Sequence, residues 1–389
     1  MTDPRVAGVG LTHFGKHPDR TGRAMFAEAG LAALDDAGID PDDVEALFYG
    51  NFMGELAEHQ GHQAPLMAEA VGLDVPATRY ESACASSGAA IRDAVFRLRN
   101  GEADVALVGG AERMTNVGTA AATDALSIAA DDLYEVRAGM TFPGAYALMA
   151  RAYFEEYGGS KAELAEIAVK NHDNALPNEY AQMQQEITVE DALDAPIIAD
   201  PLGLYDSCPI TDGATAAVLV SEDYADDHDL DAGVAITGSG QGGDKMALHD
   251  RRYLARTPAT EDAADEAYDD AGIGPDAVDF LEVHDCFTIA EVLALEGLDL
   301  YEPGEAIGAA ARGETTRDGD LPVNLSGGLK AKGHPVGATG VAQLISLTKL
   351  LEGRHPRADA VESADTALAH NAGGTVASAT VHVLQEVGR

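Results

Sequence analysis

A stretch near residue 35 is written again near residue 269, and no other feature constrains the fold as strongly. Asp35-Asp36-Ala37-Gly38-Ile39-Asp40-Pro41-Asp42-Asp43-Val44 returns as Asp269-Asp270-Ala271-Gly272-Ile273-Gly274-Pro275-Asp276-Ala277-Val278, differing only where Gly274 replaces Asp40 and Ala277 replaces Asp43. An Ala-rich helical segment precedes each copy, and a short apolar strand follows, at 46–50 or 280–283. Further along, Gly88 and the helix running to Asn100-Gly101 match Gly340 and the helix running to Glu352-Gly353. Strand 105–108 with Gly109-Gly110 resembles 367–369 with Asn371-Ala372-Gly373-Gly374, and the segment from Asp212-Gly213 resembles the one from Gly373-Gly374. The displacement is 252 residues at Gly88, about 261 at the strand and 161 at Asp212, and the fall from about 261 to 161 places about 100 extra residues in the first half, between Glu112 and Asp212.

The fold class is therefore α/β, with two duplicated halves. The expected division is residues 1–234, with a loop domain inserted at about 113–207, and residues 235–389. Each half reads strand, helix, strand, helix, strand, strand, with near-continuous apolar strands that suit a sheet covered on both faces. The insertion is expected to be part helix (161–170 has one charged and one apolar face) and part loop, and to cover a site.

Charge sets the environment. Against 66 acidic residues stand 25 basic ones, a net charge of −41, spread along the whole chain rather than gathered in a tail. Such a surface repels itself unless concentrated salt screens it, with a Debye length of roughly 3 Å at 1 M. That pattern fits the cytosol of a halophile, with an acidic mesophilic enzyme as the alternative. It excludes nucleic acid as an expected partner. Cys84, Cys208 and Cys286 offer no disulfide framework and no Cys-x-x-Cys pair. No signal peptide and no apolar run of membrane length is present, so a cytoplasmic protein is expected.

Four junctions between strands and helices carry chemistry-bearing residues, where open α/β sheets bind ligands. Cys84 follows a strand-like 79–82 and precedes a helix whose apolar face is Ile91, Val95 and Leu98. There the positive end of the helix favours a thiolate; a buried structural cysteine is the alternative. His334, in Gly333-His334-Pro335-Val336-Gly337-Ala338-Thr339-Gly340, occupies the matching junction of the second half. A pseudo-two-fold axis would bring it face to face with Cys84, where an imidazole can activate a thiol or polarise a thioester. His284-Asp285-Cys286-Phe287 ends strand 279–283, and His370-Asn371-Ala372-Gly373-Gly374 ends the next, with backbone N–H groups fit to line an oxyanion hole. Gly238-Ser239-Gly240-Gln241-Gly242-Gly243 satisfies a dinucleotide pattern, but no clean helix follows it. His59 and His62 have no further ligands nearby, so no metal site is expected, and Cys208 reads as structural.

At these residues the chain resembles the thiolase superfamily over essentially its whole length, in particular the thiolases related to sterol carrier protein x and their archaeal relatives. The motif 333–340 is specific, and His284-Asp285-Cys286-Phe287 marks the subgroup. The resemblance implies a five-layered α-β-α-β-α body. It implies Cys84 as the acylated nucleophile activated by His334, with His334 and His284 binding the thioester oxygen. Cys84 and Gly373 would form a second oxyanion hole through their N–H groups. Cys286 would be the acid/base, because Asn371 stands where many thiolases have a Cys-x-Gly cysteine; His284 is the alternative for that role. Substrates would be acyl-CoA and CoA, condensed to 3-ketoacyl-CoA or cleaved in reverse, with no bound cofactor. A homodimer or dimer of dimers is the family habit, and a small zinc-ribbon/OB-fold protein and hydroxymethylglutaryl-CoA synthase are partners implied the same way. The rival readings are a decarboxylative ketoacyl synthase, in which Cys286 would have no use, and a non-catalytic acyl-CoA-binding subunit.

Overall fold

The alternating short apolar runs form nine strands of one large sheet assembly: β1 (Arg5–Leu11), β2 (Ala46–Gly50), β3 (Ala77–Tyr80), β4 (Val105–Glu112), β5 (Gly213–Val220), β6 (Val234–Gly243), β7 (Phe280–Glu282), β8 (Thr366–Gly373) and β9 (Ser378–Glu386). These come from a computed structural model that describes residues 2–387. The spatial order is β3-β2-β4-β5-β1-β6-β9-β8-β7. β1 and β6 share only the pair Arg5–Ala235, so the assembly is two mixed sheets that meet at one point. In the first, β2 runs parallel to β3 and β4 while β5 runs antiparallel to β4 and β1. The second repeats that order, with β7 parallel to β8 and β9 antiparallel to β8 and β6. Its counterpart of β3 has shrunk to one parallel bridge, Leu281–Val323, so the two halves are less alike at that edge than the repeat implies.

Seven helices place these sheets in layers: α1 (Gly22–Ala37), α2 (Ser86–Arg99), α3 (Phe142–Tyr157), α4 (Lys161–Ala175), α5 (Pro258–Ala271), α6 (Thr288–Gly297) and α7 (Thr339–Leu351). On the outer face of the first sheet, α1 buries Met25, Phe26 and Ala29 against Leu107, Val218 and Val220. On the outer face of the second, α5 buries Ala263 and Ala267 against Leu368, Val381 and Val383. Between the sheets lie α2 and α7, where Ile91, Val95, Leu344 and Leu347 join Phe48, Val108, Phe280 and Leu384. Alternate residues of β4 thus serve two different cores, which is why the whole strand is buried and reads as continuously apolar. The expected five-layered body of two duplicated halves is the observed one.

Glycine sets two spacings that position the site. Gly238, Gly240 and Gly242 alternate along β6, and a Cβ at Gly240 would lie 2.0 Å from the Ala263 carbonyl oxygen of α5. Gly8 and Gly10 do the same under α1. The dinucleotide-like run is therefore a strand stripe that lets an Ala-rich helix lie close. Gly88 and Gly340, matched in the repeat, meet where α2 crosses α7: a Cβ on Gly340 would lie 2.4 Å from the Gly88 nitrogen. That contact seats the two matched junctions against each other.

Between β4 and β5 the chain departs into helices including α3 and α4 and a small hairpin, and Asp212 gathers the two ends of this excursion. Its carboxylate accepts from the Met114 and Thr115 N–H groups at 2.6 and 2.8 Å and from the His17 N–H at 3.0 Å. Among the described residues no helix is long and apolar enough to cross a membrane.

Candidate active site

β3 ends two residues earlier than its strand-like pattern, and the chain then turns sharply into α2. Ala83 takes φ 48°, a left-handed conformation costing roughly 1–2 kcal/mol for a residue with a Cβ. The Ser86 hydroxyl holds the turn, accepting from the Ser82 N–H at 3.0 Å and donating to the Ala83 carbonyl at 2.5 Å. Cys84 is thereby lifted to the floor of a cavity of about 510 Å³. The walls are mostly apolar, with Phe52, Met114, Leu126, Phe142 and Ile210 among them, and Lys16 stands at the rim. His334, Cys208, Cys286 and Gly374 complete the floor.

The structure brings together three of the four residues singled out for catalysis: donor atoms of Cys84, His284 and His334 lie within 4.8 Å of one another. The two imidazole rings meet edge to face, centroids 5.1 Å apart. Cys286, the fourth, lies in the same cavity wall. Cys208 is there too, with its backbone N–H donating to the Cys286 carbonyl at 3.0 Å. Its reading as a structural cysteine away from the chemistry is corrected; sequence separation hid the crossover that carries it in beside Cys286. The Gly373–Gly374 step also faces Cys84, and the N–H that reaches the sulfur is that of Gly374, one residue beyond the glycine expected.

Hydrogen bonds assign the protons. The Thr339 hydroxyl donates to the Pro335 carbonyl at 3.0 Å, so at 2.7 Å it must accept from His334 Nδ1. His334 Nε2 then carries the lone pair, and it is buried with no partner. His284 is set the other way: the Asn371 amide nitrogen stands 3.1 Å from its Nδ1, which must accept, leaving the proton on an Nε2 that is likewise buried and unpartnered. One ring can take a proton and the other can give a hydrogen bond. Asn371, which the sequence marks only as the place of a missing cysteine, thus sets the tautomer of His284.

Electrostatics correct one expectation. The thiolate expected at a helix N-terminus is not the resting state, because burial pushes the Cys84 thiol up to about 12 despite the Gly374 N–H, with the Glu112 carboxylate adding to the rise. Desolvation of the charged form outweighs the helix end, whose first turn begins only at Ser86. Burial likewise raises Cys208 to about 12 and holds Cys286 well above its ordinary value. It keeps His334 neutral down to about 3 and His284 well below its ordinary value. Cys84 therefore rests as a thiol, with the unprotonated and unpartnered His334 Nε2 among its neighbours.

Two buried carboxylates hold this floor: Glu112, which sequence reading used only as a boundary, and Asp285, which it grouped with His284 and Cys286. Glu112 accepts from the Asn51 amide and from the N–H groups of Phe52, Met53 and Gly337, each at 2.9 Å, and burial raises it to about 7. It ties the end of β4 to the loop bearing His334. Asp285 accepts from the Leu329 and Lys330 N–H groups at 2.6 and 3.2 Å and from the Asn171 amide at 2.8 Å, fixing the segment after β7 against the turn that leads to His334. Lys332, the residue before the motif, is structural: its ammonium reaches Glu282 at 3.4 Å and Ser346 at 3.2 Å. A carboxylate at a strand end is the only signal these residues leave in the sequence.

The buried imidazoles make acid stability a measurable consequence. Burial depresses His172 and His382 to about 4 and His334, His355 and His370 to about 3. The unfolded chain would protonate them near 6.5, so their share of stability is present above that pH and is lost as pH falls toward 4 and below. Glu112 and Asp285, both raised to about 7, act oppositely and lose their share as pH rises through 7. The five imidazoles outweigh the two carboxylates on the acid side. Thermal scans in molar KCl should show the unfolding midpoint dropping steeply between pH 6 and pH 4; a flat profile would mean that water reaches these rings.

A half-buried cysteine whose thiol lies between a proton-accepting and a hydrogen-bond-donating imidazole, with a second thiol alongside, defines a cysteine-based acyl-transferring enzyme of the duplicated α/β class. Comparison with known proteins narrows that class. Residues 6–223 match the description "Thiolase, N-terminal domain" and residues 240–386 match "Thiolase C-terminal domain-like", and the chain belongs to the thiolase family. It is 42% identical over 384 residues to an acetyl-CoA acetyltransferase of Methanothermobacter thermautotrophicus, covering 98% of this chain and 99% of that one. It is 32% identical to sterol carrier protein 2 of Gallus gallus, covering 95% of this chain and 69% of that protein. Among solved structures, the Ltp2-ChsH2(DUF35) aldolase superposes with a TM-score of 0.84 at 25% identity, covering 99% of this chain and 98% of that one.

Proposed function

We propose that this thiolase acts on short acyl-CoA substrates, acetyl-CoA and acetoacetyl-CoA foremost, through an acyl group carried on Cys84. The observation that carries the reading is the pair of opposed tautomers around that thiol. His334 Nε2 takes the Cys84 proton as the sulfur attacks the thioester carbon. The protonated His334 Nε2 and the His284 Nε2–H then donate to the thioester oxygen of the second, incoming acyl-CoA and hold its enolate, where preorganised donors are worth roughly 3–4 kcal/mol each. Cys286 protonates the departing CoA sulfur. Its thiolate then removes the α-proton of a second acyl-CoA, and the carbanion attacks the acyl group held near the N–H of Cys84 and the Gly373–Gly374 step; the carbon–sulfur bond to Cys84 breaks and that sulfur takes its proton back from His334. Running backwards, the same steps cleave a 3-ketoacyl-CoA. The chemistry is read as metal-free: three soft donors within 4.8 Å can also hold a divalent ion, but each inner ring atom here has a proton to move or a hydrogen bond to give.

The surroundings are part of the proposal. A small partner of the DUF35 (zinc-ribbon/OB-fold) kind is supported by the likeness to a structure solved with one. It is also supported by exposed Ile128, Leu133, Tyr134, Ile197 and Leu204 on the segment between β4 and β5, apolar side chains on an otherwise acidic protein. A homo-oligomer is proposed on the family habit. A cytoplasmic setting is supported by three unpaired cysteines, and a salt-rich one by the charge of −41. Raising KCl from 0.1 to 2 M should therefore raise the unfolding midpoint by several degrees; a midpoint indifferent to salt would sink the halophilic reading. The function itself is tested by thiolysis of acetoacetyl-CoA in molar KCl, with and without proteins that co-purify from the host. No turnover in either case would overturn the reading.

A further inference from the structure

Tyr146 enters the site from α3, on the segment between β4 and β5, and nothing in the sequence separates it from the other tyrosines. It is fully buried and lines the same cavity as Cys84 and Cys286. Its ring stacks on Phe287, the residue after Cys286, with centroids 4.7 Å apart and planes 27° from parallel. Its hydroxyl donates to the Gly374 carbonyl at 3.0 Å, with the Cys286 thiol within its reach in the same cavity. The N–H of that same Gly374 points at the Cys84 sulfur. On the far side, the Arg251 guanidinium holds the neighbouring residue, donating to the Thr375 carbonyl at 2.5 Å and to its hydroxyl at 3.0 Å.

A phenol has one proton and here has two acceptors to choose between. While Cys286 is a thiol, its S–H can donate to the phenol oxygen and the phenol O–H to the Gly374 carbonyl, satisfying all three groups in a chain. Once Cys286 is a thiolate, a charged acceptor within reach outcompetes a neutral carbonyl, since hydrogen bonds to ionised groups are about twice as strong. The phenol stays protonated in both states, because burial lifts Tyr146 well above its ordinary value.

We propose that Tyr146 is a positioning residue for the acid/base step, its hydroxyl donating to Gly374 while Cys286 is a thiol and swinging to the Cys286 sulfur while it is a thiolate. The inference rests on the reading of Cys286 as the acid/base. The Cys286 S–H bond breaks as its proton passes to the departing CoA sulfur, and the Tyr146 proton stays on its own oxygen and only turns. When the thiolate takes the α-proton of the second acyl-CoA, the S–H bond re-forms and the phenol O–H returns to Gly374. The backbone step facing Cys84 is thus gripped while that sulfur is attacking and loosened while its acyl group is being transferred.

Tyr146→Phe keeps the ring and its stacking and removes only the hydroxyl. In the full chain, in molar KCl, kcat for acetoacetyl-CoA thiolysis should fall about 10- to 100-fold with KM changed by no more than about twofold. The limb of the pH profile that reports Cys286 should move about one unit to higher pH. Alkylation of Cys286 by iodoacetamide, followed by peptide mass spectrometry, should slow about tenfold relative to Cys208 at the same pH. Unchanged alkylation and an unmoved pH profile would overturn the proposal. So would a loss in which KM, melting temperature and the reactivity of all three thiols shift together, since that is merely structural damage. Should the Phe variant not fold, 3-fluorotyrosine at position 146, a stronger donor, should move the same limb to lower pH, and no movement would overturn the proposal. Cys286→Ser run in parallel separates the two levels. Full thiolysis there would defeat the acid/base reading, whereas lost thiolysis there beside an unaltered Tyr146→Phe enzyme would defeat only the role of the tyrosine.

Discussion

Cys84→Ala should abolish thiolysis, lowering kcat by about 10⁴-fold or more, while the protein folds and binds CoA thioesters much as before. The physical reason is that no other group in the cavity can replace the bond this sulfur forms. Cys286 and Cys208 share the cavity wall, but neither has an unprotonated imidazole set to take its proton. Alanine keeps the Cβ and loses only the sulfur that faces the cavity, and Ala83, which carries the strained backbone, is untouched, so the turn into α2 should persist. Mass spectrometry after incubation with acetyl-CoA gives the direct reading: wild type gains one acetyl group on the peptide containing Cys84, and the variant gains none. An enzyme that kept its activity, or was acetylated elsewhere, would show that the opposed tautomers serve some other chemistry.

Cys286→Ala should separate the two half-reactions. The first needs Cys84, His334 and an oxygen held by the N–H groups of Cys84 and the Gly373–Gly374 step, all of which remain, so acetylation of Cys84 should survive, slowed by loss of the proton donor to CoA. The second needs a base for the α-proton, and without it condensation and thiolysis should fall by roughly 10²–10⁴-fold. The measurement is the release of CoA in a single burst per active site, compared with exchange of acetyl-CoA methyl protons in heavy water. Burst retained and exchange lost assigns the base to Cys286. Exchange retained would pass the role to His284, the alternative left open by Asn371 standing in place of the second cysteine of many thiolases.

Which parts of this picture can be read without coordinates follows from how far apart the determining residues lie. Asp35–Val44 and its copy at Asp269–Val278 lie within single segments, and with the Gly88–Gly340 match they require two like α/β halves and an excursion between Glu112 and Asp212. Cys84, His334 and His284 are legible for the same reason, since each sits in a short segment at a strand–helix junction. The alternation of glycines in β6 was legible too, but its purpose was not, because only the nearness of α5 shows what those glycines leave room for.

Other properties have no local signature. Whether Cys84 rests as a thiol or a thiolate is decided by desolvation under the residues from 113 to 211, against which a helix end two residues away counts for little. The proton positions on His334 and His284 depend on Thr339 and Asn371, one five residues distant and the other 87. Cys208 and Tyr146 join the site only because Asp212 closes the excursion back onto the sheet and Phe287 offers Tyr146 a ring to stack on. The duplicated fold, the family and the residues that meet at the site are legible in the chain's order, because repeats and motifs are written in consecutive residues. The charge state, the tautomers and the company those residues keep come from the folded chain, because burial and hydrogen bonding are properties of what the chain brings near and not of its order.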